Sequence, residues 1–145
     1  MDNKYINFEI VTPDRVVLRE EITQITLPTK MGEITVLPNH IPLVASLRPG
    51  VVHVKKKNGG EEIISVSGGF LEVLKDKIVI LADTAERAEE IDLSRLEEAR
   101  SRASEIKEKA RRGENVDFTE VNAAIERELV RTKAIKRWRK IKSIK

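Results

Sequence analysis

The sequence predicts an α+β chain, with an N-terminal antiparallel β-sandwich of about eight to ten short strands followed by a C-terminal antiparallel hairpin of two helices. Three observations carry this. As far as Ala82, apolar residues alternate with polar ones or stand in short β-branched runs, punctuated by Gly, Pro, Asn and Asp. Beyond it the apolar period lengthens to three or four residues. Glycine and proline then nearly vanish, and charged residues crowd in. These changes divide the chain into segments 1–84 and 85–145.

The first strand is expected over Tyr5 to Val11, where Ile6, Phe8 and Ile10 alternate with Asn7 and Glu9. Thr12-Pro13-Asp14 makes a turn. Val16 to Leu18, Glu21 to Leu27 and Glu33 to Leu37 follow as short strands, the last two joined by the glycine-containing loop Lys30-Met31-Gly32. Pro38 and Pro42 fix their own φ and push each preceding residue toward extended backbone. Leu37 to Pro42 is therefore a rigid loop that presents Asn39 and His40. Val44 to Leu47, the turn Arg48-Pro49-Gly50 and the strand Val51 to Lys55 come next. Asn58-Gly59-Gly60 is a strong hairpin signal, with Glu62 to Ser67 as the return strand. Gly68-Gly69 marks a bulge or a close backbone approach before Phe70 to Leu74 and Lys77 to Leu81.

In the second segment Leu93, Leu96, Ala99, Ala103, Ile106 and Ala110 fall on one helical face, which predicts a helix from about Asp92 to Arg111. Asp92 is a candidate N-cap, Ser94 with Glu97 a competing capping box, and Gly113 the stop. Asp117 with Glu120 opens a second helix, whose inward stripe is expected to be Val121, Ala124, Ile125, Leu129 and Thr132. An alanine-rich seam buries little area at about 25 cal/mol per Å², so the hairpin should dock conditionally.

Composition narrows the function. With no cysteine, disulfides and cysteine-ligated metals are excluded, and no apolar run approaches the ~20 residues of a membrane span. The net charge of +3 is a property of the end of the chain: Lys133 to Lys145 holds five lysines and two arginines and no acid, so the remainder is net negative. No phosphate-binding glycine loop, Cys/His cluster or nucleophile elbow is present, and the histidines His40 and His53 lack a third ligand nearby in sequence. The reading is a non-enzyme, with no metal site and no required cofactor.

Six runs stand out in order along the whole chain: Val11-Thr12-Pro13, Gly32-Glu33-Ile34, the loop Leu37-Pro38-Asn39-His40-Ile41-Pro42-Leu43, Leu47-Arg48-Pro49-Gly50, Ser67-Gly68-Gly69-Phe70-Leu71-Glu72-Val73 and Leu81-Ala82-Asp83-Thr84-Ala85. Together they resemble the epsilon subunit of F-type ATP synthases. The resemblance implies a non-catalytic subunit of the rotor's central stalk, peripheral to the cytoplasmic face of a bacterial membrane. Its sandwich would grip the gamma subunit and rest on the membrane ring, coupling proton-driven rotation to ATP synthesis. Carried over by position, Glu33 would face the ring and His40 would lie at the rotor-facing part of the sandwich; the plainer alternatives are a hairpin charge and a loop residue.

The resemblance also implies a regulatory ATP site, in a motif Ile/Leu-Asp-x-x-Arg-Ala with an upstream glutamate and two arginines one turn apart. The matching positions are Glu86, Ile91, Asp92, Arg95, Arg127 and Arg131, and Leu96 stands where the motif has alanine. The i, i+4 spacing puts Arg127 and Arg131 on one helical face, suited to phosphate oxygens. The alternative is that Asp92 caps a helix and the arginines pair with glutamates such as Glu126 and Glu128. In the family the C-terminal helices also reach the catalytic beta and alpha subunits and inhibit ATP hydrolysis, which would use Lys133, Lys136, Arg137, Arg139 and Lys140 here. Two other readings of the basic end remain: a nucleic-acid-binding module with Trp138 as its stacking residue, and a membrane-surface helix with Ile135, Trp138, Ile141 and Ile144 as its apolar face.

Overall fold

A computed structural model describes residues 4–91, 93–114 and 118–144. Its strands are β1 (Ile6–Val11), β2 (Val16–Thr29), β3 (Gly32–Val36), β4 (Leu43–Leu47), β5 (Gly50–Lys56), β6 (Glu61–Val66), β7 (Gly69–Val73), β8 (Lys77–Ala82) and β9 (Ala85–Arg87). A 3-10 turn, Ala88–Glu90, precedes the helices α1 (Leu93–Arg111) and α2 (Phe118–Ile144).

The predicted sandwich and two-helix segment are both present. One layer runs β2–β1–β8–β7–β4 and the other β3–β2–β5–β6–β9, with β2 common to both. Val16–Leu18 and Glu21–Leu27, expected as separate strands, form this single strand. The apparent break, Arg19-Glu20, and the adjoining Glu21 are carried by partners: Arg19 meets Glu9 at 2.8 Å, Glu20 meets Lys56 at 3.6 Å and Glu21 meets Lys57 at 3.0 Å. At Ile22 the strand changes layer, pairing with Ile6 of β1 and Lys56 of β5, and the register slips at Thr23. Between the layers lie Phe8, Ile10, Ile22, Ile25, Leu27, Val52, Ile64, Leu71, Ile78 and Ile80, all buried.

All the pairings are antiparallel save β1 with β8, which is parallel. The boundary expected between residues 84 and 85 falls just before β9, which pairs with β6. The turns follow the local chemistry. Gly59 has a φ of +89° in the β5–β6 hairpin, and the neighbouring Asn58 side chain accepts from the Gly60 N–H at 2.8 Å. Gly69 has a φ of +136°, and a Cβ there would lie 2.1 Å from the Leu81 carbonyl oxygen, so the close approach read from Gly68-Gly69 is between β7 and β8.

α1 ends at Arg111, two residues before Gly113, whose φ is +79°, and the Glu114 N–H donates to the Lys109 carbonyl at 3.1 Å. The cap candidates Asp92 and Asp117 lie outside the described residues. α2 packs on α1 and on β5, β6 and the 3-10 turn. Facing two surfaces turns its stripe: Val121 is buried as expected, but Leu129 is 59% exposed while Glu128, Ala134 and Ile135 are buried.

Gly69→Ala should destabilise the sandwich by roughly 2 to 5 kcal/mol, from positive φ together with the backbone clash, read as a lower urea midpoint; a midpoint within error of wild type would refute the close approach.

Candidate functional site

β9 hydrogen-bonds to the edge of β6, with Glu86 opposite Ser65. That register turns the Glu86 side chain toward α2, while its neighbour Arg87 points the other way, into the sandwich end. There Arg87 forks onto the buried Glu62 at 2.6 and 3.2 Å, with Lys56 at 3.2 Å from the same carboxylate. The Glu62 hydrogen bond, against the opposing pull of burial, lifts the Arg87 pKa above its ordinary value.

Arg131, on α2, reaches back to Glu86. Its Nε donates to Glu86 Oε1 at 2.9 Å, its Nη2 donates to the same oxygen, and its Nη1 donates to Glu128 Oε1 at 2.6 Å. Burial lowers the Arg131 pKa, but the hydrogen bond and charge of Glu86, followed by those of Glu128, raise it by more, so the guanidinium stays charged. The joint is half wet, with 30% and 34% of the Arg131 and Glu86 side chains exposed. Beyond it α2 lies on an apolar cluster of Val51, Ile63, Ala88 and Ala134, flanked by Val130, Trp138 and Ile141.

Between α1 and α2 opens a cleft of about 450 Å³ in which Arg102, Arg127 and Arg131 face one carboxylate, Glu128, over a floor that includes Ala99, Ala103 and Ala124. Among the described residues neither Arg102 nor Arg127 has a carboxylate partner. On the sandwich side Glu86, Arg127 and Arg131 share a void of about 10 Å³ with Ser65, Ser67 and Thr84, room for about one water.

Of the residues suggested for a nucleotide, the structure therefore brings together Glu86, Arg127 and Arg131. Ile91 is half-buried after the 3-10 turn and lines neither space. Asp92 and the side chain of Arg95 lie outside the described residues. Arg131 does pair with Glu128, as the alternative reading had it, whereas Arg127 does not. Arg102 went unread, although its position two turns beyond Arg95 on α1 places it on the same helical face.

Lys133, Lys136, Arg139 and Lys140 are exposed and Arg137 is half-buried, so the basic end is the water-facing side of a docked helix rather than a free tail. Trp138 and Ile141, offered as a nucleic-acid or membrane footprint, pack on the sandwich, and Lys142 Nζ lies 5.7 Å from the Trp138 ring centre. Glu33 is exposed near the turn that carries Met31, itself 97% exposed, and His40 is half-buried with Nδ1 2.6 Å from the Ile41 carbonyl oxygen. Glu33 is the second residue of β3, and His40 lies in the loop that follows it. No helix among the described residues is long and apolar enough to cross a membrane.

Residues 5–88 match the family described as ATP synthase, Delta/Epsilon chain, beta-sandwich domain. The chain is 43% identical over 129 residues to the ATP synthase epsilon chain of Moorella thermoacetica, covering 89% of this chain and 95% of that one. The chain belongs to the ATP synthase epsilon chain family. Another epsilon chain, from Herpetosiphon aurantiacus, is 43% identical over 131 residues, 90% of this chain and 94% of the relative. A chain in the cryo-EM structure of the Euglena gracilis mitochondrial ATP synthase, OSCP/F1/c-ring, superposes with a TM-score of 0.71 at 28% identity, over 86% of this chain and 77% of that chain. An epsilon chain is a non-catalytic stalk subunit of ATP synthase.

If the Arg131–Glu86 joint holds α2 down, a double-mutant cycle of Glu86→Gln and Arg131→Met should show a coupling of about 1 kcal/mol in thermal unfolding, small because the pair is partly wet. Purely additive effects would mean that the apolar cluster alone docks the helix.

Proposed function

We propose that this epsilon chain is a rotor subunit of a proton-translocating F-type ATP synthase at the cytoplasmic face of a bacterial membrane, coupling rotation to ATP synthesis and restraining ATP hydrolysis through α2. The observation that carries the regulatory part is the way α2 is held: a half-wet ion pair and a small cluster in which Val51, Ile63 and Ala88 meet Ala134 of α2, with Val130, Trp138 and Ile141 only partly buried against them. An element docked so lightly exchanges readily with an undocked state. Lifting α2 would free Trp138 and Ile141 along with the cations beside them, giving a basic, partly apolar helix for acidic surfaces of the catalytic beta and alpha subunits.

The sandwich offers two surfaces for the rest of the rotor. Val44, Phe70 and Leu81 are exposed on the outer face of adjacent strands β4, β7 and β8, with Phe70 in register with Leu81. This patch suits the gamma subunit. Met31, with Glu33 at the start of β3, and Ile41, beside the half-buried His40, are exposed toward the two ends of β3 and suit the membrane ring.

The cleft between the helices fits ATP as a regulatory ligand. Its volume lies in the usual range for small-molecule sites, about 300 to 1,000 Å³. Arg102 and Arg127 are open to phosphate oxygens, and the alanine floor leaves room for an apolar face. Bound ATP would tie α1 to α2 and favour the docked state by RT ln(1 + [L]/Kd), roughly 2.7 kcal/mol at a hundredfold excess over Kd.

Millimolar ATP should accordingly raise the melting temperature of the isolated subunit. Arg127→Ala should abolish the rise and Leu96→Ala should enlarge it; a melting temperature blind to ATP in wild type and Leu96→Ala alike would remove the ligand from this account. In the assembled complex, changing Lys136, Arg137, Arg139 and Lys140 together to alanine should raise ATP hydrolysis without loss of assembly. Inhibition by the wild-type subunit should fade with salt, since exposed pairs are screened beyond ~8 Å at 0.15 M. Equal hydrolysis with wild-type and quadruple-variant subunits at low salt would end the inhibitory role.

A further inference from the structure

Glu128 is the carboxylate that docking leaves unexplained. The residue is only 7% exposed. Its Oε1 is held by Arg131, and its Oε2 is buried with no hydrogen-bond partner among the described residues. Glu86 already takes Arg131 Nε and Nη2, so the charge of the guanidinium is met before Glu128 contributes. A second, half-satisfied carboxylate is an expensive addition to such a joint. It stands in the wall of the cleft beside Arg102 and Arg127, and also lines a smaller cleft of about 180 Å³ with Arg100, Ser104 and Lys107.

We propose that Glu128 is a built-in occupant of the anion site: its carboxylate sits on the Arg131 edge that a nucleotide phosphate would use, so the Glu128–Arg131 pair and phosphate binding exclude each other, and Glu128 holds nucleotide affinity down. This rests on the nucleotide reading of the cleft. A carboxylate and a phosphate compete for a guanidinium with the same geometry. Nη1 is the nitrogen left once Glu86 has taken the other two. A phosphate drawn into the cleft by Arg102 and Arg127 would meet the Glu128 carboxylate at Arg131 Nη1, where the two anions want the same edge of the guanidinium. Glu128 must then turn out toward water and give up the only hydrogen bond its carboxylate makes among the described residues. Binding is weakened by the loss of that pair, and Glu128 acts as an affinity-setting residue.

Titration calorimetry with ATP on the full chain separates the possibilities. Glu128→Gln keeps the size of the side chain and an acceptor for Nη1, removes the charge, and supplies an amide N–H. It should lower the ATP dissociation constant roughly ten- to a hundredfold, the ratio that corresponds to one charge-assisted hydrogen bond. Glu128→Ala should shift it in the same direction, with circular dichroism confirming that both variants keep their helix content. Wild-type binding that is matched or weakened in both folded variants overturns this role for Glu128 and leaves the nucleotide site standing. No ATP heat in wild type or either folded variant overturns both.

Discussion

The fourteen residues of β2 hydrogen-bond to β1 with their first half and to β3 and β5 with their second, which obliges the strand to turn at Ile22 and to bury successive residues from Leu27 to Thr29 where the layers meet. Much of the sandwich is arranged around that requirement. The extra residue Thr23 absorbs the change of register, its hydroxyl donating to the Lys55 carbonyl at 3.3 Å. The hairpin at Lys30-Met31 is tied to β4, with the Lys30 N–H on the Ser46 carbonyl and the Arg48 N–H on the Pro28 carbonyl. Through β5 and β6 the second layer then carries β9 to its edge, and β9 carries Glu86.

Charge is handled at β9 in two ways, on its two sides. Inward, Glu62 is 4% exposed and is surrounded by Arg87 and Lys56, so the cost of taking a carboxylate out of water is offset by a fork of two hydrogen bonds and a second cation. Outward, Glu86 meets Arg131 in a partly wet joint that several weak changes could open. The first arrangement is a buried ion pair at the sandwich end; the second is a partly exposed one between the sandwich and a helix. Neighbouring residues of one short strand thereby serve a buried and a partly wet ion pair, because alternate side chains of a strand leave on opposite faces.

The cleft extends this logic into the hairpin. Small residues keep α1 and α2 close, and the space beside them is lined by guanidiniums that outnumber the carboxylates. Three surfaces of the chain are thus chemically distinct: an apolar outer patch on β4, β7 and β8, a basic water-facing side of α2, and a cationic cleft between the helices. The apolar patch lies on the layer opposite to the one that α2 packs on, so the two surfaces share no residues.

The sequence by itself determined the kinds of elements and their punctuation, since period, proline and glycine act through bonds and neighbours within a few residues. Phe8 between Ile6 and Ile10, Asn58-Gly59-Gly60 and the stop at Gly113 were legible for that reason, as were the paired positions of Arg127 and Arg131. The run of residues around the Pro38–Pro42 loop and Gly68-Gly69 also carried the family. Only the tertiary structure decided that Arg19-Glu20 lies inside a strand, that β1 and β8 run parallel, that β9 follows Thr84, and that α2 buries Glu128 and exposes Leu129. Each of these depends on a surface brought from far along the chain. Glu86 and Arg131 are 45 residues apart, and a carboxylate beside an arginine is read as a solvated face until the fold removes the water.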